Sequence, residues 1–292
     1  MRGARSGHRR GAWPPPVALG FAWAVVLAPG SAVAGSAAPV PSEILERAFE
    51  NQYGCGIFAR VELVTRADGG RPRRRHLLMA SQVVDGRFHA LAELTEPASL
   101  RGMSFLVAEP RRGVRDAFVY LPSLGRVRRI SLAQRGESFL GTDVTYADLE
   151  RRRVEDFEVS ARPAEEIDGE PVYVVRARPR RPAAWVAIDF AVAVRDFAIL
   201  EQRSFAREEG GPFRVLRAPR AHMVRAGGHV LPGRLHVIDR RRRSTTEVTF
   251  SELRVDPGLD PELFRVGSLE RGGRLRPPPG DDPAREAAAA AR

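Results

Sequence analysis

The residue types that most often catalyse reactions are present in this sequence, but not at the spacings that catalysis uses. Ser138 lies in the stretch GESFLG, which lacks the G-x-S-x-G spacing that exposes a nucleophilic serine at a strand-to-helix turn. Asp143 and Asp148 are close enough in sequence to act as an acid and a base, although aspartates at such positions more often stabilise a turn or a helix start. The sequence contains no phosphate-binding loop and no dinucleotide-binding motif. We therefore expect that the protein is not an enzyme.

Histidine and cysteine do not form a recognisable metal site either. The six histidines are His8, His76, His89, His222, His229 and His236. The last three are seven residues apart, without the short spacing of a zinc-binding pair, and His76 and His89 would form only one pair on neighbouring strands. Cys55, the single cysteine, has no internal disulfide partner, so it is either a buried small apolar side chain or a reactive or intermolecular thiol. We expect no metal and no cofactor.

All basic side chains are arginines, and they give the chain a formal net charge of +11. Three arginine clusters occupy residues 71–75, 151–153 and 240–243. They either cover solvated turns and strand ends or form a basic rim that binds lipid phosphates or an acidic partner. We do not expect nucleic-acid binding, because no aromatic stacking residues are interleaved with the arginines.

The N-terminus has the pattern of a secretory signal peptide over residues 1–34. Several arginines precede the apolar run VALGFAWAVVLA (residues 17–28), and residues 32–34 (AVA) fit a cleavage site that ends at Ala34. The apolar run is too short for a comfortable membrane span. At the other end, residues 271–292 are rich in proline, glycine and then alanine, which is typical of a disordered tail. We expect one exported domain over residues 35–270.

The hydrophobic pattern predicts a mainly β fold. Ser42 is expected to cap a short helix over residues 43–52, and from residue 57 the apolar residues recur with a period of two. Turn sequences such as Asp85-Gly86 and Asp168-Gly169 separate the runs. About ten strands at spacings of roughly 10 to 15 residues, without crossover helices, predict a strongly curved antiparallel sheet or half-open β-barrel.

A curved antiparallel sheet without a catalytic centre can enclose an apolar ligand on its concave face. The large apolar side chains that are candidates to line such a cavity, or else simply to pack in the core, are Phe58, Phe88, Leu106, Phe118, Tyr120 and Trp185. The long stretch over residues 121–149 has no regular periodicity, and loops of this length are usually functional or disordered. We expect it to form an ordered lid or rim, with Phe139 and Leu140 directed inward.

The central part of the chain resembles a known bacterial family. The stretches are RGMSFL (residues 101–106), FVYLPSLGRVRRIS (118–131) and RGESFLGTDVTYADL (135–149). They resemble outer-membrane lipoprotein-sorting proteins with a LolA-like domain, and the layout matches over residues 41–267. The positions that carry the motif are Arg101, Gly102, Arg128, Arg129, Ser138, Gly141, Asp143 and Tyr146. Ala147 departs from the family pattern, in which glutamate is usual.

The resemblance implies a half-open antiparallel barrel with short helices as a lid over an apolar cavity. It also implies a periplasmic carrier that binds acyl chains of lipoproteins or other lipids and moves them toward the outer membrane. Its partners would be an inner-membrane exporter and an outer-membrane acceptor. Two alternatives remain: a non-enzymatic accessory module of an exporter of the resistance-nodulation-division type, and a lipid hydrolase that uses Ser138.

Overall fold

The computed structural model describes residues 39–109, 116–271 and 274–278. The predicted signal peptide, with its cleavage site at Ala34, lies outside the described residues. The described chain is mainly β, as the sequence predicts. Among its helices, none is both long and apolar enough to cross a membrane.

The described residues form fifteen strands and two α-helices. The strands are β1 (Ile57–Ala67), β2 (Arg73–Val84), β3 (Arg87–Glu96), β4 (Ser104–Ala108), β5 (Asp116–Leu121), β6 (Arg126–Arg129), β7 (Phe157–Ile167), β8 (Glu170–Pro179), β9 (Ala187–Ala193), β10 (Ile199–Phe205), β11 (Arg214–Arg217), β12 (Met223–Ala226), β13 (His229–Pro232), β14 (Arg234–Asp239) and β15 (Ser244–Val255). The helices are α1 (Pro41–Tyr53) and α2 (Val266–Glu270). Short 3₁₀ turns lie at Ala98–Leu100, Leu132–Gly136, Phe139–Gly141, Tyr146–Leu149, Val154–Asp156, Arg220–His222 and Pro261–Phe264.

Thirteen of the strands form one antiparallel sheet. Their order is β6-β5-β4-β3-β2-β1-β15-β14-β11-β10-β9-β8-β7, and β12 pairs with β13 in a separate two-stranded ribbon. The two edge strands, β6 and β7, follow each other in the chain, so residues 130–156 connect one edge of the sheet to the other. The sheet is not closed by pairing between its edges, which confirms the predicted open antiparallel architecture.

The predicted hairpin turns are present and have the expected backbone geometry. Asp85 and Gly86 both have positive φ, at 50° and 73°, and so do Asp168 and Gly169, at 52° and 77°. Two consecutive residues with positive φ are typical of the turns whose twist matches a two-residue hairpin. These turns place β2 against β3 and β7 against β8, in agreement with the sequence.

Side chains alternate between two faces of the sheet, and both faces are buried in β1 to β4. We call the inner face the side on which Ala59, Val61 and Leu63 of β1 pack. The outer face is the side on which Phe58 and Leu106 pack. A strand with apolar residues on both faces has no solvated side, so this part of the sheet must be covered by other elements on both its inner and its outer face.

The sheet has to be strongly curved to bring its strands around one space. A common cavity on the inner face is lined by side chains of β4, β3, β2, β1, β15, β14, β11 and β10. These are eight neighbouring strands in the sheet order. At a spacing of about 4.8 Å, seven strand-to-strand steps would span roughly 34 Å in a flat sheet, which is far wider than a single cavity.

The structure has more strands than the ten predicted, and the helix begins earlier. The additional strands include β4, β5 and β6 in the motif region and the short strands β11, β12 and β13. Helix α1 begins at Pro41 with Val40 as its N-cap, and Ser42 does not cap it. Proline suits the first helical turn because its missing N–H has no partner there in any case.

The C-terminal part of the described chain crosses the outer face. Phe264, Leu269 and Leu275 pack on Phe58 and Leu106. The backbone N–H of Leu275 donates to Glu93 Oε2 at 2.9 Å, and Arg274 Nη1 donates to Glu93 Oε1 at 3.0 Å. The disordered tail expected from residue 271 therefore does not extend over residues 274–278, which are held against the sheet because they cover its apolar outer face.

This contact predicts that Leu275 contributes to stability. Leu275 is only 4% exposed. We expect Leu275→Ala to lower the free energy of unfolding by about 2–4 kcal/mol, because it removes buried apolar surface and leaves a cavity. Urea unfolding measures the change. Leu124→Ala, at a leucine that is 58% exposed, is the control and should change stability by less than ~0.5 kcal/mol; an equally small effect at Leu275 would mean that the segment does not cover the sheet.

Candidate functional site: an enclosed apolar cavity

The inner face of the sheet encloses a cavity of about 170 Å³. Its floor is formed by strands β1 to β4, β10, β11, β14 and β15. Most lining side chains are apolar, and Asp148 and Arg152 are the charged residues among the described residues that line it. A concave, mainly apolar cavity with a few converging polar groups is the usual form of a ligand site.

Three elements cover the cavity on the side opposite the sheet. They are helix α1, the β12–β13 ribbon and the segment over residues 131–152, which we call the wall segment. Asn51 joins the first two: its Oδ1 accepts from the N–H of Val230 at 2.7 Å, and its backbone carbonyl lies 3.0 Å from His229 Nδ1. The helix also packs its apolar stripe, including Leu45 and Phe49, against the sheet.

The wall segment is anchored by the buried carboxylate of Asp143. Ser244 Oγ donates to Asp143 Oδ1 at 2.5 Å, and Thr246 Oγ1 donates to Oδ2 at 2.8 Å. Thr246 in turn contacts Thr65 at 2.9 Å between hydroxyl oxygens. Asp143 therefore ties the middle of the segment to β15 and, through Thr246, to β1. Its carboxylate is used in structure and is not free to act as a base.

Asp148 provides the second anchor. Its carboxylate caps the 3₁₀ turn that starts after Thr145, accepting from the N–H and the hydroxyl of Thr145 at 2.8 Å each. It also accepts two hydrogen bonds from Arg214 and one from Arg152, the last at 3.4 Å. Burial raises the pKa of Asp148, but the two guanidinium groups and the Thr145 hydrogen bonds outweigh it and hold the pKa below its usual value.

The arginine clusters serve this segment more than they form a free basic rim. Arg73 and Arg242 donate to the carbonyls of Gly141 and Thr142 at 3.1 Å and 2.6 Å. Arg152 is buried and lines the cavity, and its guanidinium carbon lies over the rings of Trp185 and Phe190. Other members of the clusters form ion pairs, namely Arg74 with Glu62, Arg151 with Glu50 and Arg153 with Glu109. Neither expectation for the clusters anticipated that one arginine would be buried in the cavity wall.

Two of the predicted cavity residues line the cavity. Phe88 lies on the floor, and Phe139 projects from the wall segment. Phe139 packs edge-on against Phe105, with ring centroids 4.6 Å apart, and against Tyr146 at 5.8 Å. Leu140 packs on the same inner cluster from a half-buried position. Burial and the nearby Glu137 raise the pKa of the Tyr146 phenol.

The other predicted cavity residues lie elsewhere, and the expectation for them is corrected. Phe58, Leu106, Phe118 and Tyr120 belong to the outer-face cluster beneath the C-terminal segment. Phe58 and Leu106 alternate with the inward residues Ala59 and Phe105, so the period of two already separates the two sets. Trp185 packs beside the cavity against Arg152, with the guanidinium carbon 5.6 Å from its ring centroid.

The remaining motif residues shape the backbone. Gly141 has a φ of 71°, a backbone conformation that favours glycine. Gly102 has a φ of 81° and also lies close to Arg274, where a Cβ atom would be only 2.4 Å from Nη1. Ser138 Oγ donates to the carbonyl of Thr142 at 2.5 Å, so its hydroxyl closes a turn. Arg101 Nε donates to the carbonyl of Thr95, and Arg128 and Arg129 lie exposed on edge strand β6, where Arg129 pairs with Asp116.

The histidines and the cysteine do not add a site within the described chain. His76 contacts Glu96 and Glu62 and does not meet His89. Within residues 39–109, 116–271 and 274–278, no group of three His, Cys, Asp or Glu side chains is placed to hold a metal ion. Cys55 is buried, and burial together with nearby Asp256 raises its pKa to about 11. A thiol with so high a pKa is a poor nucleophile at neutral pH.

Sequence reasoning missed the charged group at the cavity wall. Asp148 contacts both Arg152 and Arg214 there, although Arg214 lies 62 residues after Arg152 in the chain. Two local signals were available: the Thr145-x-x-Asp148 pattern of a capping box, and the spacing of four between Asp148 and Arg152. No local pattern indicates Arg214, because its position in β11 reaches Asp148 only through the tertiary fold.

The fold and its covered apolar cavity define a LolA-like domain. A candidate outer membrane lipoprotein-sorting protein domain from Vibrio parahaemolyticus superposes with a TM-score of 0.72 at 21% identity, over 78% of this chain and 97% of that one. A DUF1329 family protein from Desulfovibrio piger gives 0.72 at 22% identity, over 78% and 97%. A LolA superfamily protein from Nitrosomonas europaea gives 0.63 at 22% identity, over 79% and 99%. The resemblance seen in the sequence is thereby confirmed for the fold.

Sequence comparison places the chain in a family. Residues 86–271 match the family model whose description is "-like: Uncharacterized protein", and the chain belongs to that family. The matched region begins at the turn before β3 and includes the whole wall segment. No curated protein sequence matches the chain significantly.

The charged anchor leads to a prediction for Asp148. We expect Asp148→Asn to lower the free energy of unfolding by about 3 kcal/mol at pH 7, because it leaves Arg152 and Arg214 buried with no anionic partner. Since the folded pKa of Asp148 lies below its ordinary value of 3.8, the unfolded chain binds more protons at low pH. The stabilisation is therefore complete above about pH 5 and is lost as the pH falls below 4.

Urea unfolding of wild type and variant at pH 7 and pH 3 measures this. The difference between the two proteins should shrink at pH 3. Glu158→Gln removes an exposed ion pair with Arg180, with both side chains more than half exposed, and is the matched control. It should change stability by no more than ~1 kcal/mol at either pH. An Asp148→Asn protein as stable as wild type at pH 7 would contradict the anchoring role.

Proposed function

We propose that the protein is a carrier that binds acyl chains of lipids or lipoproteins in the cavity on the inner face of its sheet. The observation that carries the proposal is the cavity itself: it is lined mainly by apolar side chains and covered by three separate elements. The LolA-like fold supports the same function, and the lipoprotein-sorting description of one structural neighbour is consistent with it. In line with the predicted signal peptide, we propose that this carrier acts in the periplasm, and its proposed partners are an inner-membrane exporter and an outer-membrane acceptor.

The physical need for such a carrier is simple. Each methylene group of an acyl chain that moves from water into an apolar site gains roughly 0.8 kcal/mol. A chain of a dozen or more carbons is therefore poorly soluble in the aqueous periplasm and has to be shielded during transfer. The side chains that line the floor, such as Val61, Leu77 and Val248, offer an apolar surface of the required kind.

Binding a whole chain requires the cover to move. A cavity of about 170 Å³ is close to the ~150 Å³ that accommodates one benzene ring. The wall segment is held by buried charges, whereas the β12–β13 ribbon is an isolated two-stranded sheet and such hairpins are marginally stable by themselves. Met223 and Met79 line the cavity and are flexible enough to repack around a chain. We propose that α1 and the ribbon, joined through Asn51, open together.

Filling the cavity tests the proposal. Ala92 is 4% exposed and lies on β3 between Met79 and Phe105, which also line the cavity. We expect Ala92→Phe to weaken binding of a fluorescent acyl chain at least about tenfold, because a ring-sized group occupies the space the chain needs. Its thermal stability should stay equal to or above that of wild type, since the new side chain fills an existing void.

Leu124→Phe, which adds a similar apolar group at a position 58% exposed, is the control and should bind the probe as wild type does. Native mass spectrometry and lipid extraction of protein purified from the periplasm give an independent readout. Protein that carries no lipid and takes up no fluorescent fatty acid would refute the carrier function.

A further inference from the structure

We propose that the cavity selects acyl chains that end in a free anionic head group, specifically the carboxylate of a single-chain fatty acid, and that Arg152 binds this carboxylate. The inference rests on the proposed function, because it assumes that the cavity holds the chain. It goes beyond it by naming the head group and the residue that recognises it.

The charged groups in the cavity wall are not balanced. Asp148 is the common partner of Arg152 and Arg214, and all three side chains are at most 9% exposed. One carboxylate therefore faces two guanidinium groups, which leaves one net positive charge. The other buried acids of this region already have partners. Glu150 lies 3.0 Å from Arg135 and Glu109 2.9 Å from Arg153, and Asp143 accepts from Ser244 and Thr246 and lies 3.9 Å from Arg242.

Arg152 also has a hydrogen-bond donor that no acceptor in the described chain uses. Nη1 of Arg152 is buried and has no hydrogen-bond partner among the described residues. Its contact with Asp148 is long, at 3.4 Å, whereas Arg214 places Nη2 2.5 Å from the same carboxylate. Asp148 thus belongs mainly to Arg214. A buried donor without an acceptor is costly, and native structures rarely keep one without a reason.

Arg152 also lies where the head group of a bound chain would be. Arg152 lines the apolar cavity, and the rings of Trp185 and Phe190 flank its guanidinium at 5.6 Å and 5.5 Å. Packing against the two rings fixes the orientation of the planar group, so little further entropy is lost when an anion binds. A carboxylate matches the guanidinium fork and would neutralise the excess charge while its chain lies along the floor.

A single-chain acid fits this position better than a phospholipid. The head-group position is Arg152, which lines both the apolar cavity and a more open surface pocket beside α1. A carboxylate presents two oxygens that match the planar fork of one guanidinium, whereas a phosphate diester is tetrahedral and carries further groups that Arg152 alone does not bind. Neutral chain ends, such as esters or alcohols, would leave the charge of Arg152 unpaired.

The test compares ligands that share one chain. Dissociation constants of dodecanoate and dodecan-1-ol are measured by calorimetry below their aggregation concentrations at pH 7.5. We expect wild type to bind the acid roughly 10- to 100-fold more tightly than the alcohol, the range expected for a hydrogen bond to a charged group. In Arg152→Gln this ratio should fall below about threefold. Arg74→Gln, which removes an exposed arginine paired with Glu62 on the surface, should keep the wild-type ratio.

Each outcome bears on one claim. Equal binding of acid and alcohol by wild type overturns the head-group inference and leaves the carrier function standing, and it needs no variant to fold. Binding of neither ligand overturns both. An unchanged ratio in a folded Arg152→Gln protein removes Arg152 from recognition. Dodecyl phosphate distinguishes the source of the anion: weaker binding than dodecanoate supports a free fatty acid, and tighter binding overturns that assignment in favour of a phosphate head group.

Discussion

The rest of the structure depends on one constraint: a strongly curved sheet whose two edges do not pair has to keep the apolar inner face away from water. The chain meets this by sending residues 130–156 from one edge strand to the other and fixing them with buried carboxylates. Asp143 binds hydroxyl groups of β15, and Asp148 binds Arg214 of β11. Because these contacts are made in the middle of the crossing, the segment becomes a rigid wall. The cavity above the apolar floor can then remain partly empty while the backbone of the floor stays shielded from water.

The two sides of the cover have different physical characters, and this difference suits the proposed carrier function. The wall side is held by ionic and hydroxyl contacts in a buried setting, where breaking a pair is expensive. On the other side, α1 and the β12–β13 ribbon are joined to each other through Asn51 and packed by apolar side chains. Apolar packing is not directional, so this side can move and repack at lower cost. The position of Arg152 on the rigid side means that recognition of a head group and opening of the cover involve different elements.

The outer face explains why the cavity residues were only partly predictable. Alternation along β1 to β4 correctly separates the side chains into two sets. Both sets are apolar, however, and the sequence pattern does not say which set faces a ligand and which is covered by the chain itself. From the sequence, Phe58 and Leu106 could line the cavity or pack in the core, and in the structure they lie under Phe264 and Leu275. The decisive element is the C-terminal segment that contains Phe264 and Leu275, whose apolar residues are sparse and have no sustained period.

Local chemistry determined much of this protein without reference to its tertiary structure. The period of two, the Asp-Gly turns and the apolar stripe of α1 follow from short-range patterns, and they specify an antiparallel sheet with an N-terminal helix. The Ser-Phe-Leu-Gly-Thr-Asp motif indicates a LolA-like domain through its resemblance to a known family. Only the tertiary structure decided which face is the floor, that Arg152 lines the cavity, and that one carboxylate is shared by two buried arginines. The reason is physical: side-chain alternation and turn geometry are set by neighbours in the chain, whereas burial and charge balance depend on Arg214 and Asp148, which are brought together by the curvature of the whole sheet.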